Sequence, residues 1–126
     1  MTKKILVVDD EPDVIYTIKN ILEDNGFAVD AFTDSILVLD NYKINFYDLV
    51  ILDIKMPEID GFELYIKIRE KDTKVKICFL TAITTFKEDF RKRHLKIDKT
   101  INEEYFILKP IETEDLVKKL TSIMNF

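Results

Sequence analysis

Five short apolar runs, at residues 5–8, 27–32, 49–52, 75–80 and 105–108, alternate along the chain with stretches whose apolar residues recur every three or four positions. That alternation constrains the fold more than any other feature. Strand, helix, strand, helix, repeated five times, predicts a parallel sheet with right-handed crossovers and helices on both faces. Residues 49–52, Leu-Val-Ile-Leu, contain no polar alternation, as expected of a strand covered on both sides. The intervening segments carry start and stop signals. Pro12 suits the first turn of a helix in which Val14, Ile15, Ile18, Ile21 and Leu22 share one face. Asn25 and Gly26 supply its left-handed end. Thr33, Asp34 and Ser35 offer caps for a short second helix, and a third runs over about 62–70. The stretch 84–99 reads as mostly helical, and Thr113 reads as the N-cap of a closing helix that carries Leu116, Val117, Leu120, Ile123 and Met124.

At 126 residues the chain is expected to form one domain, 1–126, with a single sizeable core. Neither the mildly acidic net charge of −5 nor its distribution predicts direct nucleic-acid binding. No apolar stretch is long enough to span a membrane, and 1–4 lead into the first strand without a signal peptide's cleavage region. The lone cysteine, Cys78, cannot form an internal disulfide and reads as a small core residue. A cytoplasmic setting is the expectation. The basic run around His94 reads as a solvated helix face shared with Glu88, Asp89 and Asp98.

In parallel α/β sheets, ligands bind beyond the carboxyl ends of the strands. Four of the five predicted strands end in polar groups: Asp9 and Asp10, Asp53, Thr81, and Lys109. Taken singly, Asp9 or Asp10 would serve as a helix cap, Thr81 as another, and Lys109 as a solvated lysine. Asp53 is harder to explain in that way, because it follows four apolar residues. Converging carboxylates repel one another unless a cation joins them. An all-oxygen set without Cys or paired His suits Mg²⁺ or Mn²⁺. An ionised carboxylate needs no general base to attack phosphorus, so the set suits phosphoryl transfer to Asp53, assisted by the cation, Lys109 and Thr81.

The segments ILVVDDEPDV, LVILDIKMPEIDG, ICFLTA and YFILKPIETEDL, in that order, resemble the receiver domain of two-component response regulators. The resemblance runs from Lys4 to the C-terminus, and the DxxMPxxDG block is its most specific part. It implies a flavodoxin-like (βα)5 fold with strand order 2-1-3-4-5. It also implies a phosphorylation-dependent switch whose Asp53 takes a phosphoryl group from a histidine kinase or histidine phosphotransfer protein. Such a domain catalyses its own modification without being a turnover enzyme. By the same resemblance Asp9, Asp10 and Asp53, with the backbone carbonyl of Lys55, bind the metal. Thr81 bonds the phosphoryl oxygen, Lys109 pairs with it, Ala82 is the small residue beside the acceptor, and Pro110 follows a cis peptide. Phe106 stands near the position of the family's switch aromatic and, lacking a hydroxyl, would act by packing.

Two rivals stand beside this reading: a pseudo-receiver that only binds a partner, and a haloacid-dehalogenase-type phosphatase. The latter carries an Asp two positions past its nucleophile, where this chain has Lys55. The segment between Thr81 and Lys109 is longer than is usual in the family and has Ile101 and Asn102 where Gly and Ala commonly stand, so a lengthened or shifted fourth helix is expected. Lys55 and Ile83 are expected to obstruct hydrolytic water and slow self-dephosphorylation. Neither the downstream effector nor whether the receiver is free-standing is legible here.

Overall fold

The computed structural model describes residues 2–124. Of the expected domain 1–126, Met1, Asn125 and Phe126 lie outside the described residues. Five strands alternate with five helices: β1 (Lys4–Val8), α1 (Pro12–Asp24), β2 (Ala28–Phe32), α2 (Ser35–Asn41), β3 (Leu49–Asp53), α3 (Gly61–Lys71), β4 (Lys76–Ala82), α4 (Phe86–Lys96), β5 (Phe106–Lys109) and α5 (Thr113–Met124), with a 3-10 turn (Glu103–Tyr105) before β5. All strand pairs are parallel, in the order β2-β1-β3-β4-β5.

Alternate side chains of each strand feed opposite layers, as the period of two requires. Leu6, Val8, Val50, Leu52 and Phe79 pack with Val38 of α2 and with Phe62, Leu64 and Ile68 of α3. Ile5, Val7, Leu49, Ile51, Cys78 and Leu80 pack with Ile18 and Leu22 of α1 and with Leu116, Leu120 and Ile123 of α5. Leu49 through Leu52 are fully buried. Burial also pushes the Cys78 thiol well above its ordinary pKa.

Local signals explain most element ends. The Gly26 φ of +89° closes α1. Gly26 N–H donates to the Glu23 carbonyl and Phe27 N–H to that of Leu22, the paired bonds of a Schellman end. The Asp34 and Asp60 side chains cap α2 and α3 by accepting from Ile36 N–H and Glu63 N–H, each at 2.9 Å. Elsewhere the boundaries move. β4 continues through Thr81 to Ala82, because Ala82 pairs with Lys109. Thr113 is the first helical residue of α5 rather than its cap, since Leu116 N–H donates to the Glu112 carbonyl.

The expected lengthening of the fourth helix does not occur: α4 has 11 residues, as many as α3. Ile97, at φ −134° and ψ −94°, ends it, and the extra chain forms the turn at 97–102 and the 3-10 turn. Arg93 holds that corner together. Its guanidinium donates to the carbonyls of Phe90, Lys99 and Ile101 and lies 3.6 Å from the Phe90 ring centre. Among the described residues, no helix is long and apolar enough to cross a membrane.

Candidate functional site

The sheet register brings the polar strand ends together. Val8 pairs with Leu52, so Asp9 stands level with Asp53 in the next strand. Asp53 in turn pairs with Leu80, one residue before Thr81. Lys109 closes the row from the far edge, beside Ala82. Its ammonium lies 2.8 Å from Asp9 Oδ2, 3.3 Å from Asp53 Oδ1 and 3.0 Å from Glu11 Oε1.

These contacts displace the ordinary explanations of each residue. Asp9 is fully buried and its Oδ1 accepts from Glu11 N–H at 2.9 Å. Glu11 itself occupies the N-cap position of α1 without a side-chain capping bond. Asp9 Oδ2 makes no well-directed hydrogen bond, so the 2.8 Å ion pair with Lys109 is what compensates it. The Lys109 side chain is only 15% exposed, far from a solvated lysine. Thr85, not Thr81, precedes α4.

Oxygen atoms of Asp9, Asp10, Glu11 and Asp53 all lie within 4.8 Å of one another. Four carboxylates thus face one ammonium, and protonation is affected accordingly. Burial, then the charge of Asp9, pushes Asp53 up to about 7 against the pull of Lys109. Burial also raises Asp9, opposed by Lys109. Burial alone would lower Lys109, but its close pairing with the Asp9 carboxylate, the charge of Asp53 and its bond to Glu11 hold it above its ordinary value. The donor set is all oxygen, hard and anionic, which fits Mg²⁺ or Mn²⁺ and not a softer metal.

A crevice of about 160 Å³ opens over Asp53, lined by Glu11, Lys55, Thr81, Ala82, Asp89 and Lys109 among others. A larger concavity, about 420 Å³, lies instead between β5 and α5 and lacks the carboxylate cluster. Lys55 is exposed at the crevice, whereas Ile83, 62% exposed, lines the larger concavity. Pro110 follows a cis peptide bond to Lys109. Phe106 is buried, its ring centre 5.3 to 5.8 Å from those of Phe79, Phe86 and Phe90.

Two residues of this region escaped the sequence reading. Glu11 joins the acidic cluster, and its adjacency to Asp9 and Asp10 was the available signal. Asp89, expected on a solvated face, is 2% exposed and accepts the Thr81 hydroxyl at 2.7 Å. Arg93 is likewise buried, whereas His94 is exposed as expected. Phe86, Asp89, Phe90 and Arg93 follow the spacing of one inward helix face, and that was the signal.

The family model of the response regulator receiver domain matches residues 5–121. The transcriptional regulatory protein DltR of Streptococcus agalactiae is 31% identical over 117 residues, which are 93% of this chain and 50% of that protein. The sensor protein EvgS of Escherichia coli O157:H7 is 41% identical over 78 residues, 62% of this chain and 6% of that protein. The chain therefore spans half or less of the length of these curated relatives. Among solved structures, the non-phosphorylated HemR receiver domain of Leptospira biflexa superposes with a TM-score of 0.80 at 27% identity, covering 99% of this chain and 96% of that one.

Proposed function

The chain belongs to the response regulator receiver domain family of two-component systems, and on that footing we propose that it is a signalling switch whose Asp53 accepts a phosphoryl group from a histidine kinase or histidine phosphotransfer protein. The observation that carries this reading is the placement of Lys109 between Asp9 and Asp53, at 2.8 and 3.3 Å. A structural ion pair would need one carboxylate. Here the ammonium is shared by a cluster that a single lysine cannot neutralise.

In the reaction, Asp53 is the nucleophile at the tip of a rigid, fully covered strand, and its ionised oxygen attacks phosphorus in line with the departing histidine nitrogen. Asp9, Asp10 and Asp53, with the main-chain carbonyl of Lys55, would hold Mg²⁺ or Mn²⁺, which supplies charge neutralisation to the carboxylates and the phosphoryl oxygens. Lys109 needs only a small movement from Asp53 Oδ1 to meet a phosphoryl oxygen, and as a point charge it suits that role. Thr81 donates its hydroxyl to another. Ala82 leaves room beside the acceptor, Pro110 sets the chain's exit from β5, and Phe106 takes part only through packing. The product is an acyl phosphate on Asp53.

A sensor protein and a transcriptional regulatory protein among the relatives support a place in a signalling relay, which we propose to operate in the cytoplasm. The test is incubation with acetyl phosphate and Mg²⁺, followed by intact mass measurement. One stable phosphoryl adduct, abolished in Asp53→Ala, supports the switch. Continuous phosphate release supports a phosphatase instead, and no adduct supports a protein-binding module.

A further inference from the structure

The Thr81 hydroxyl, proposed above as a donor to the phosphoryl group, is already engaged. It donates at 2.7 Å to Asp89 Oδ2, a carboxylate on the first turn of α4 that is 2% exposed. The same oxygen accepts the Thr85 hydroxyl at 3.2 Å. Asp89 lines the crevice that holds Asp53, Thr81 and Lys109. A threonine hydroxyl has one proton to donate, so Thr81 cannot serve Asp89 and a phosphoryl oxygen at once.

Resting on the acceptor reading of Asp53, we propose that Asp89 is a latch: it holds the Thr81 hydroxyl in the resting state, so that loading Asp53 requires Thr81 to leave Asp89 and thereby frees the first turn of α4 from the end of β4. Asp89 is a positioning residue, acting through Thr81 and not on the phosphoryl group.

Burial argues that the carboxylate is not merely decorative. A carboxylate that is 2% exposed is expensive to bury without hydrogen bonds, and a cap of α4 would engage backbone N–H groups, as Asp60 does in α3. The Asp89 Oδ2 contacts are instead two side-chain hydroxyls. Hydroxyls rotate, so the contact can be broken without unfolding the helix. Thr85 remains at hand for Asp89 after Thr81 departs. An anion arriving on Asp53 both attracts the Thr81 proton and repels the Asp89 charge, and both effects open the latch.

Beryllofluoride with Mg²⁺, a mimic of the phosphoryl group, tests this by titration into the wild type, Asp89→Ala, Thr81→Val and the double variant. Bonds to a charged acceptor of this kind set the expected gain in affinity for Asp89→Ala at about tenfold. In the Thr81→Val background the same substitution is expected to change affinity by less than about twofold. No gain in Asp89→Ala, or an equal gain in both backgrounds, overturns the latch, the latter by showing that Asp89 acts through charge alone. Failure of the wild type to bind would instead overturn the acceptor reading, and the latch with it. Should the variants not fold, the side-chain carboxyl carbon resonance of Asp89 in the wild type decides. It is expected to shift on saturation with beryllofluoride, and an unmoved resonance overturns the proposal.

Discussion

Gly61 lies directly against the main chain of Asp53. A methyl group on its Cα would overlap the Asp53 carbonyl and come within 2.8 Å of Ile54 Cα. Both obstacles are backbone, so neither can rotate aside. Gly61 N–H also donates to the Ile54 carbonyl at 2.8 Å, which clamps the start of α3 onto the segment carrying Asp53. Gly61→Ala is therefore expected to destabilise the domain by about 3 kcal/mol, the upper range for forcing extra volume into a packed site, and to slow adduct formation at Asp53. Urea unfolding and acetyl phosphate labelling measure the two effects. A variant with wild-type stability would show that this approach is not tight.

Lys109→Met keeps the length of the side chain and removes its charge, leaving Asp9 and Asp53 without their shared ammonium. Breaking a buried pair from one side costs about 3 kcal/mol. That loss is expected in chelator at pH 7 and should shrink by pH 4, where the carboxyls are protonated. Urea unfolding at the two pH values checks it, and an equal loss at both would assign the effect to packing.

Asp53 gives the opposite pH dependence. Its folded pKa of about 7 lies above the ordinary 3.8, so the fold binds this proton more tightly than the unfolded chain does. The stability it contributes is complete below about pH 4 and is lost as pH rises through 7, a change on the order of 4 kcal/mol. In metal-free buffer, Asp53→Asn should therefore be more stable than the wild type at pH 7.5 and should lose that advantage at pH 4. Added Mg²⁺ should raise the melting temperature of the wild type more than that of Asp53→Asn, because a ligand stabilises the state that binds it. Melting curves across pH, with and without Mg²⁺, measure both. A variant no more stable at pH 7.5 would refute the destabilising burial of the Asp53 charge.

Arg93→Ala should release the corner after α4. Three carbonyls lose their donor, and a loss of about 2 kcal/mol is expected, with faster amide exchange over 97–105. Arg93→Lys should recover little of it, because an ammonium cannot reproduce the planar fork. Hydrogen exchange read by mass spectrometry distinguishes this from a uniform loss, which would contradict a local role.

The order of the elements was legible because each strand is a short apolar run and each helix repeats its apolar residues at its own period. β3 is the clearest case, covered on both faces and so lacking alternation. The convergence of Asp9, Asp53, Thr81 and Lys109 was also legible, since a parallel sheet places all strand ends on one side. The interior of α4 was not. Asp89 and Arg93 sit in a run dense in charge, where composition points to solvent, and only their spacing with Phe86 and Phe90 places them inward. The exact end of β4 was hidden for a similar reason. Ala82 carries no strand signal and Thr81 suits a helix cap as well as a strand, so pairing with β5 decides their conformation.

Lys109 meets Glu11 across 98 residues of sequence. A polypeptide released only through the first four strands therefore carries Asp9, Glu11 and Asp53 but not the ammonium that pairs with them. The ion pairs of this corner require β5 in place beside β4. The charge balance of this corner is thus a property of the whole fold, since its carboxylates and its ammonium come from strands far apart in sequence.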